Sequence, residues 1–81
     1  MVHYECKFCI GGGTGGEEEY LGKTDSADKC AERVNNTRPT ANGATWGPNN
    51  KKCYAEYAQT KKNNEQKWRN CMFEPITGQL F

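Results

Sequence analysis

Five cysteines carry most of the chemistry available to this 81-residue chain: Cys6, Cys9, Cys30, Cys53 and Cys71. Cysteines form disulfides, bind zinc or act in redox reactions, and their spacing separates these uses. The chain is polar, with 35% apolar residues and a mean hydropathy of −1.01. A domain this small buries little apolar surface and commonly depends on disulfides. We therefore predict disulfides, formed in an oxidising compartment, and one leftover thiol because the number is odd.

The other uses of cysteine fit the sequence less well. Cys6 and Cys9 have zinc-knuckle spacing and His3 is near, but no second close pair of cysteines completes a structural zinc site. A redox role for the same pair would need a helix start at its first cysteine, where a strand is predicted. His3 is the single histidine, and no serine or cysteine lies in a nucleophile motif. We predict no metal, no cofactor and no enzymatic activity.

The glycine segment, residues 11–16, contains a formal match to the dinucleotide fingerprint at Gly11, Gly13 and Gly16. That fingerprint requires a helix directly after it, and here Glu17–Glu19 follow and would repel a pyrophosphate. The segment is predicted to be a flexible loop. The three glutamates are predicted to be exposed to solvent without a specific role. The alternative is that they form a weak calcium contact.

Residues 2–10 alternate between apolar and polar types, which predicts a half-buried strand. The face expected to be buried is formed by Val2, Tyr4, Cys6, Phe8 and Ile10. Cys9 is then expected on the solvent-exposed face of this strand. Residues 20–24 are predicted to form a short strand.

The clearest helix signal follows. Asp25 or Ser26 can cap the helix, and Asp28 suits its first turn. The helical spacing of the apolar stripe directs Cys30 into the core. That stripe is formed by Ala27, Cys30, Ala31 and Val34. Asn35 and Asn36 end the helix before Arg38-Pro39.

The C-terminal half reads as strands. Residues 43–46 and 52–58 are predicted to form a hairpin around the turn 47–51, followed by a polar loop at 59–67 and a strand at 68–73. A tail begins at Glu74, and Leu80 and Phe81 could fold back. The prediction is one α+β domain over residues 1–81, with its core in about residues 2–73: a small antiparallel sheet packed on one helix and held by disulfides.

Two stretches of this pattern resemble the PAN/apple module. Ser26-Ala27-Asp28-Lys29-Cys30-Ala31-Glu32 resembles the start of its helix, and Trp46 through Cys53-Tyr54-Ala55-Glu56 resembles its hairpin. The resemblance covers roughly residues 4–73. It implies disulfides Cys30–Cys53 and Cys6–Cys71, and an extracellular module that binds proteins or carbohydrates. The chain departs from the family pattern because it lacks a second helix cysteine, near Val34, and adds Cys9.

Cys9 is therefore the candidate for the odd thiol. An exposed Cys9 would join two chains in a covalent homodimer or tether the domain to another protein. One alternative is that Cys9 pairs with Cys71 and leaves Cys6 spare, which a bulge in the first strand would bring about. Another is that the odd thiol is capped. The sequence leaves these three interpretations open.

Aromatic and basic residues on or beside the predicted sheet are the candidate ligand-binding residues. They are Trp46, Tyr54, Tyr57, Trp68, Lys51, Lys52 and Arg69. Packing in the core is the alternative role for each aromatic ring. Tyr54 and Tyr57 point to opposite faces of their strand, so at least one should be exposed. Asn35-Asn36-Thr37 is an N-glycosylation sequon and supports secretion.

The function predicted from these features is non-catalytic recognition or adhesion outside the cell, with a protein or carbohydrate ligand. A net charge of +1 argues against a nucleic-acid partner, and no apolar run is long enough to span a membrane. The alternative is a small secreted effector. A protease inhibitor would present the Gly47–Lys51 turn, whereas an antimicrobial protein would be more cationic.

Overall fold

The fold was obtained as a computed structural model that describes residues 4–75, and it is an α+β arrangement of one helix and antiparallel strands, as the sequence predicts. Its elements in chain order are β1 (Tyr4–Glu5), β2 (Cys9–Ile10), β3 (Gly13–Thr14), β4 (Glu17–Lys23), α1 (Ala27–Thr37), β5 (Gly43–Trp46), β6 (Lys52–Tyr57), β7 (Lys61–Lys62), β8 (Arg69–Met72) and β9 (Glu74–Pro75). The main sheet has five strands in the order β2-β8-β5-β6-β4. Two short ribbons, β1–β9 and β3–β7, complete the described fold.

Helix α1 forms where the sequence predicts it. The Ser26 hydroxyl accepts a hydrogen bond from the Lys29 backbone N–H at 3.2 Å, which satisfies one free donor of the first turn. The apolar stripe buries Cys30 and Val34 completely. The helix runs to Thr37, slightly beyond the predicted end, and stops before Pro39, whose ring disfavours helical backbone at Arg38.

The core lies between α1 and one face of the sheet, where α1 contacts β5 and β6. The strands present small side chains to the helix, so the two layers approach closely. The fully buried residues there are Cys30, Val34, Ala44, Cys53, Ala55 and Cys71. A core of this size contributes limited hydrophobic stabilisation, so the cross-links matter.

Two disulfides cross-link the fold, Cys30–Cys53 and Cys6–Cys71, with Cα atoms 5.4 and 5.1 Å apart. The first joins the helix to β6, and the second joins the N-terminal segment to β8. These are the two pairs that the PAN/apple resemblance implies. Among the described residues Cys9 is the free cysteine, and it is exposed.

The prediction of one continuous strand over residues 2–10 is wrong for its described part. The chain pairs first with β9 and then with β8, and it leaves the extended pattern at residues 6–8, where Cys6 is bonded to Cys71. Tyr4 and Ile10, expected to be buried, are 42% and 51% exposed. Both lie on two-residue strands, β1 in a separate ribbon and β2 at the edge of the main sheet. Val2 and His3 lie outside the described residues.

The glycine segment is not a loose loop. Gly13 and Thr14 pair with Lys62 and Lys61, so part of the predicted loop at 59–67 is also a strand. Glycine is required at position 13 by close approach, since a Cβ there would lie 2.5 Å from the Gln59 side-chain oxygen. The segment is thereby held against the sheet.

The remaining boundaries differ from the prediction by small amounts. The strand predicted at 20–24 begins earlier, at Glu17, so the three glutamates belong to β4 and not to a mobile loop. The strand at 43–46 has the predicted bounds. The strand predicted at 52–58 ends at Tyr57, and the strand predicted at 68–73 covers 69–72. The predicted tail is ordered at Glu74 and Pro75, which form β9. Leu80 and Phe81 lie outside the described residues.

Candidate functional site

The face of the main sheet opposite α1 carries the candidate site. Residues directly opposite on paired strands share a face, and the register places Tyr20 beside Tyr54, Tyr54 beside Thr45, and Thr45 beside Asn70. The same register puts Glu18 opposite Glu56. Across the sheet, the first of these rows therefore changes from aromatic on β4 and β6 to polar on β5 and β8.

A concavity of about 140 Å³, which we call the aromatic pocket, opens on this face. It is lined by the backbone of residues 12–13 and by the side chains of Glu18, Thr45, Tyr54, Asn63, Glu65 and Trp68. The glycine segment forms one wall because Gly12 and Asn63 exchange hydrogen bonds. The Gly12 N–H donates to Asn63 Oδ1 at 2.8 Å, and the Asn63 N–H donates to the Gly12 carbonyl at 3.0 Å.

Two aromatic rings form a right-angled corner of the pocket. The rings of Tyr54 and Trp68 meet edge to face, with centroids 5.6 Å apart and planes at 84°. Tyr20 extends the row on the other side of Tyr54, at a centroid distance of 5.3 Å. Burial, together with the charge of Glu18, raises the pKa of Tyr54, so its hydroxyl remains a neutral hydrogen-bond donor.

Below the glycine segment, a buried polar network fixes this face of the sheet. The Thr45 hydroxyl donates to Glu56 Oε2 at 2.6 Å and accepts from the Asn70 amide at 2.8 Å. Asn70 and Gln59 exchange hydrogen bonds at 2.6 and 2.9 Å. Burial raises the pKa of Glu56 to about 7, which the Thr45 hydrogen bond opposes and the Glu18 charge supports.

The predicted ligand-binding residues do not share one surface. Tyr54 and Trp68 line the aromatic pocket, and the Lys52 ammonium lies beside it, 5.9 Å from the centre of the Tyr20 ring. Trp46 is buried, and its indole N–H donates to the Thr24 carbonyl at 3.2 Å. The Lys51 ammonium covers that indole at 5.3 Å from the ring centre.

Tyr57 and Arg69 lie on the helix side of the sheet, away from the pocket. Their register partners Glu17 and Trp46 place them on that face. The Tyr57 hydroxyl donates to Glu19 Oε1 at 2.6 Å. Tyr54 and Tyr57 are both half-buried, so the prediction that one of them is exposed is wrong. The rings of Tyr20 and Trp68 pack against Tyr54, and the Glu19 contact covers Tyr57.

Five residues whose side chains line the aromatic pocket or lie beside it are absent from the sequence prediction: Glu18, Tyr20, Thr45, Asn63 and Glu65. For Glu18 and Tyr20 the sequence contains a usable pattern: the residues are two positions apart in a strand, so their side chains lie on the same face. Asn63 and Glu65 gave no signal, because they reach the pocket only through the pairing of β3 with β7.

The glutamate run does not converge on one point. Glu19 faces the helix side and forms an ion pair with Arg38, with Nε–Oε1 at 2.8 Å. The hydrogen bond from Arg38, supported by that from Tyr57, lowers the pKa of Glu19. Glu18 faces the opposite side, toward the pocket. Within residues 4–75, no three histidine, cysteine, aspartate or glutamate side chains are placed to hold a metal ion.

Cys9 lies on the edge strand β2, opposite Asn70. Its pairing with Cys6 as metal ligands is excluded because Cys6 is bonded to Cys71. Cys9 opens onto a larger groove of about 300 Å³, where lysines such as Lys61 and Lys62 alternate with glutamates and no aromatic ring is present. The aromatic pocket is the better candidate site because rigid rings bind ligands at low entropic cost.

In the part of the chain that the structure describes, no helix reaches the length and hydrophobicity of a membrane span. Comparison of the chain with protein families, curated proteins and solved structures gave no match.

Proposed function

We propose that this chain is a non-catalytic recognition domain that binds carbohydrate outside the cell through the aromatic pocket. The observation that carries the proposal is the corner formed by Tyr54 and Trp68, surrounded by the polar side chains of Glu18, Asn63 and Glu65. A sugar ring has apolar C–H faces and a rim of hydroxyl groups. Aromatic walls suit the faces, and carboxylates and amides suit the hydroxyls.

The size of the pocket supports recognition of one sugar unit. Its volume of about 140 Å³ is below the usual range for drug-sized ligands, roughly 300–1,000 Å³. One terminal residue of a glycan therefore occupies it, and the exposed ring of Tyr20 extends the contact to a neighbouring unit.

The extracellular location is supported by the chemistry of the cross-links. Two disulfides are typical of secreted domains that have small cores. Asn35, the acceptor of the sequon, is exposed on α1 and accessible to modification. The resemblance to PAN/apple modules, which bind proteins or carbohydrates, agrees with this proposal.

The proposal is tested by binding of the purified, oxidised domain to a glycan array, followed by titration of each positive glycan. We expect binding that is lost in Trp68→Ala and retained in Tyr4→Ala, which removes an exposed ring on the β1–β9 ribbon instead. Folding of each variant is checked by near-ultraviolet circular dichroism. Binding that survives Trp68→Ala in a folded protein would place the ligand elsewhere.

The alternative function, protease inhibition, is tested in parallel on a panel of serine proteases. It would use the Gly47–Lys51 turn, where Lys51 has a φ of 65° and its ammonium lies over Trp46. Inhibition that is abolished by Lys51→Ala, with no glycan bound, would replace the carbohydrate proposal.

A further inference from the structure

The two carboxylates of the aromatic pocket lack partners within the described residues. Glu18 and Glu65 line the pocket, both are exposed, and their side chains form no ion pair or hydrogen bond with the described residues. Glu19 and Glu56, their neighbours on β4 and β6, are both engaged, with Arg38 and Thr45 respectively. The pocket lining thus contains two acidic groups without a partner in the lining, and the Lys52 ammonium lies outside it, beside the Tyr20 ring.

The rest of the lining adds no positive charge. It consists of glycine backbone, one hydroxyl, one amide and the two aromatic rings. The negative charge of Glu18 acts on neighbouring groups, because it helps to raise the pKa of both Tyr54 and Glu56. An anionic ligand would therefore be repelled, whereas a cation would be attracted.

The aromatic row already contacts an ammonium group of the chain itself. The Lys52 ammonium lies 5.9 Å from the centre of the Tyr20 ring, within the range in which a cation is attracted to a π face. Tyr54 and Trp68 continue the same row into the pocket, where no lysine or arginine of the described chain lies. Both rings line the pocket, where a cation supplied by a ligand would contact them.

We infer that the aromatic pocket selects an amino sugar with a free, protonated amine, bound by the Tyr54 and Trp68 rings and the carboxylates of Glu18 and Glu65. This inference rests on the proposed carbohydrate function and specifies its substrate class. N-acetylation removes the charge that the carboxylates attract, and sulfation adds a charge that they repel. The pocket therefore discriminates between glycans of one backbone by their modification.

The test is a titration of the isotopically labelled, oxidised domain with monosaccharides, followed by NMR at about pH 6, where an aliphatic amine is protonated. We expect glucosamine to bind about tenfold more tightly than N-acetylglucosamine or glucose, and glucosamine sulfated on oxygen to bind more weakly than glucosamine. The shifted resonances should include the Trp68 indole N–H. A tenfold ratio corresponds to about 1.4 kcal/mol, within reach of one cation–π contact plus a partly exposed ion pair.

Variants assign the preference to the two carboxylates. Glu18→Gln combined with Glu65→Gln should reduce the ratio of glucosamine affinity to glucose affinity to about twofold or less. Glu32→Gln is the matched control, because it removes one exposed carboxylate on the helix. Amide spectra of each variant establish that the fold is retained.

The outcomes separate this inference from the proposed function. Equal binding of glucosamine, N-acetylglucosamine and glucose would overturn the charge preference and leave carbohydrate recognition standing. No binding of any sugar would overturn both. Binding of Nα-acetyl-lysine amide as tight as that of glucosamine would show a general cation pocket and overturn the assignment to an amino sugar.

Discussion

The ring of Trp68 stands perpendicular to the ring of Tyr54, at 84°, although Tyr54 lies on β6 and Trp68 lies just before β8, at the far end of a polar loop. The backbone holds this pair in place. The Trp68 carbonyl accepts a hydrogen bond from the Gly11 N–H at 2.9 Å, which ties the indole to the glycine segment. The pocket corner therefore exists before a ligand arrives, and pre-organisation of this kind lowers the cost of binding.

Replacement of Trp68 should affect binding more than folding. Trp68→Ala removes one wall of a half-buried corner, so we expect at least a tenfold loss of sugar affinity and a loss of unfolding free energy of about 1–2 kcal/mol. Trp68→Phe keeps an aromatic face and should retain part of the affinity. Isothermal titration and chemical denaturation measure the two quantities, and a large stability loss with unchanged affinity would contradict the assignment.

The buried carboxyl of Glu56 should make stability depend on pH. Its pKa rises from 4.5 to about 7 in the folded state, mainly through burial. Between these values the folded protein retains a proton that the unfolded chain has released, so the unfolding free energy falls as pH rises through this window and levels off above about pH 7. The pKa of Glu19, lowered by Arg38, acts in the opposite direction below the window, where stability is lost as pH falls.

Glu56→Gln tests this assignment. The amide oxygen can still accept from Thr45, and the variant should be more stable than the parent at pH 8 by about 1–2 kcal/mol, with a flatter pH profile between 4.5 and 7. Denaturation at several pH values provides the profile. Glu17→Gln, on the exposed edge strand, is the control and should leave the slope unchanged.

The two disulfides should contribute unequally to stability. Cys6–Cys71 spans 65 residues and Cys30–Cys53 spans 23, so the chain-entropy relation gives about 4 and 3 kcal/mol, respectively. Paired Cys→Ala variants compared by denaturation measure these contributions. The loss of either is a large share of the roughly 5–15 kcal/mol typical of a domain. A variant without Cys30–Cys53 that unfolds at the parent denaturant concentration would show that the helix does not need its cross-link.

Gly13 should be intolerant of a side chain, whereas Gly12 should accept one. A Cβ at position 13 would meet Gln59 at 2.5 Å and Glu56 at 2.8 Å, so Gly13→Ala should cost about 1–3 kcal/mol. At position 12 the nearest atoms lie at 3.4 Å or beyond, and Gly12→Ala should change stability by less than about 1 kcal/mol. Thermal unfolding compares them, and equal destabilisation would argue that flexibility, not close approach, requires these glycines.

Exposed Cys9 should control covalent association. We expect the protein purified without reductant to contain a dimer whose mass halves on reduction, and Cys9→Ser to be monomeric under the same conditions. Intact mass spectrometry before and after alkylation makes the comparison. A monomer with one alkylatable thiol in the parent protein would assign Cys9 as a free thiol and the domain as a lone module.

The helix and the helix-facing strands could be predicted from the sequence because their signals are local. Ser26 caps α1, and the spacing of Cys30 and Val34 identifies its buried side without any knowledge of the sheet. Ala44 and Ala55 lie in strands whose apolar content and turn residues are visible in the sequence. These features depend on residues within a few positions of one another.

The aromatic pocket could be predicted only in part, because it depends on contacts distant in the chain. Tyr54 and Trp68 were selected as aromatics beside strands, but nothing local brings Glu18 and Asn63 to the same concavity. Asn63 reaches the concavity through the pairing of β3 with β7. The sequence does not predict this pairing, because a glycine-rich segment is typical of loops. The burial of Glu56 was missed for the same reason, since the glycine segment that covers it was expected to move freely.

The β1–β9 ribbon and the Cys6–Cys71 disulfide also determine how the domain responds to mechanical force. Tyr4 lies opposite Pro75, and the disulfide joins the chain just inside this pair. Tension applied through flanking chain reaches the covalent bridge after only the two short strands have peeled apart. The intervening residues, which include the whole aromatic pocket, are shielded from extension. The aromatic pocket, which lies between Cys6 and Cys71 in the chain, therefore keeps its shape when the two ends of the domain are pulled apart.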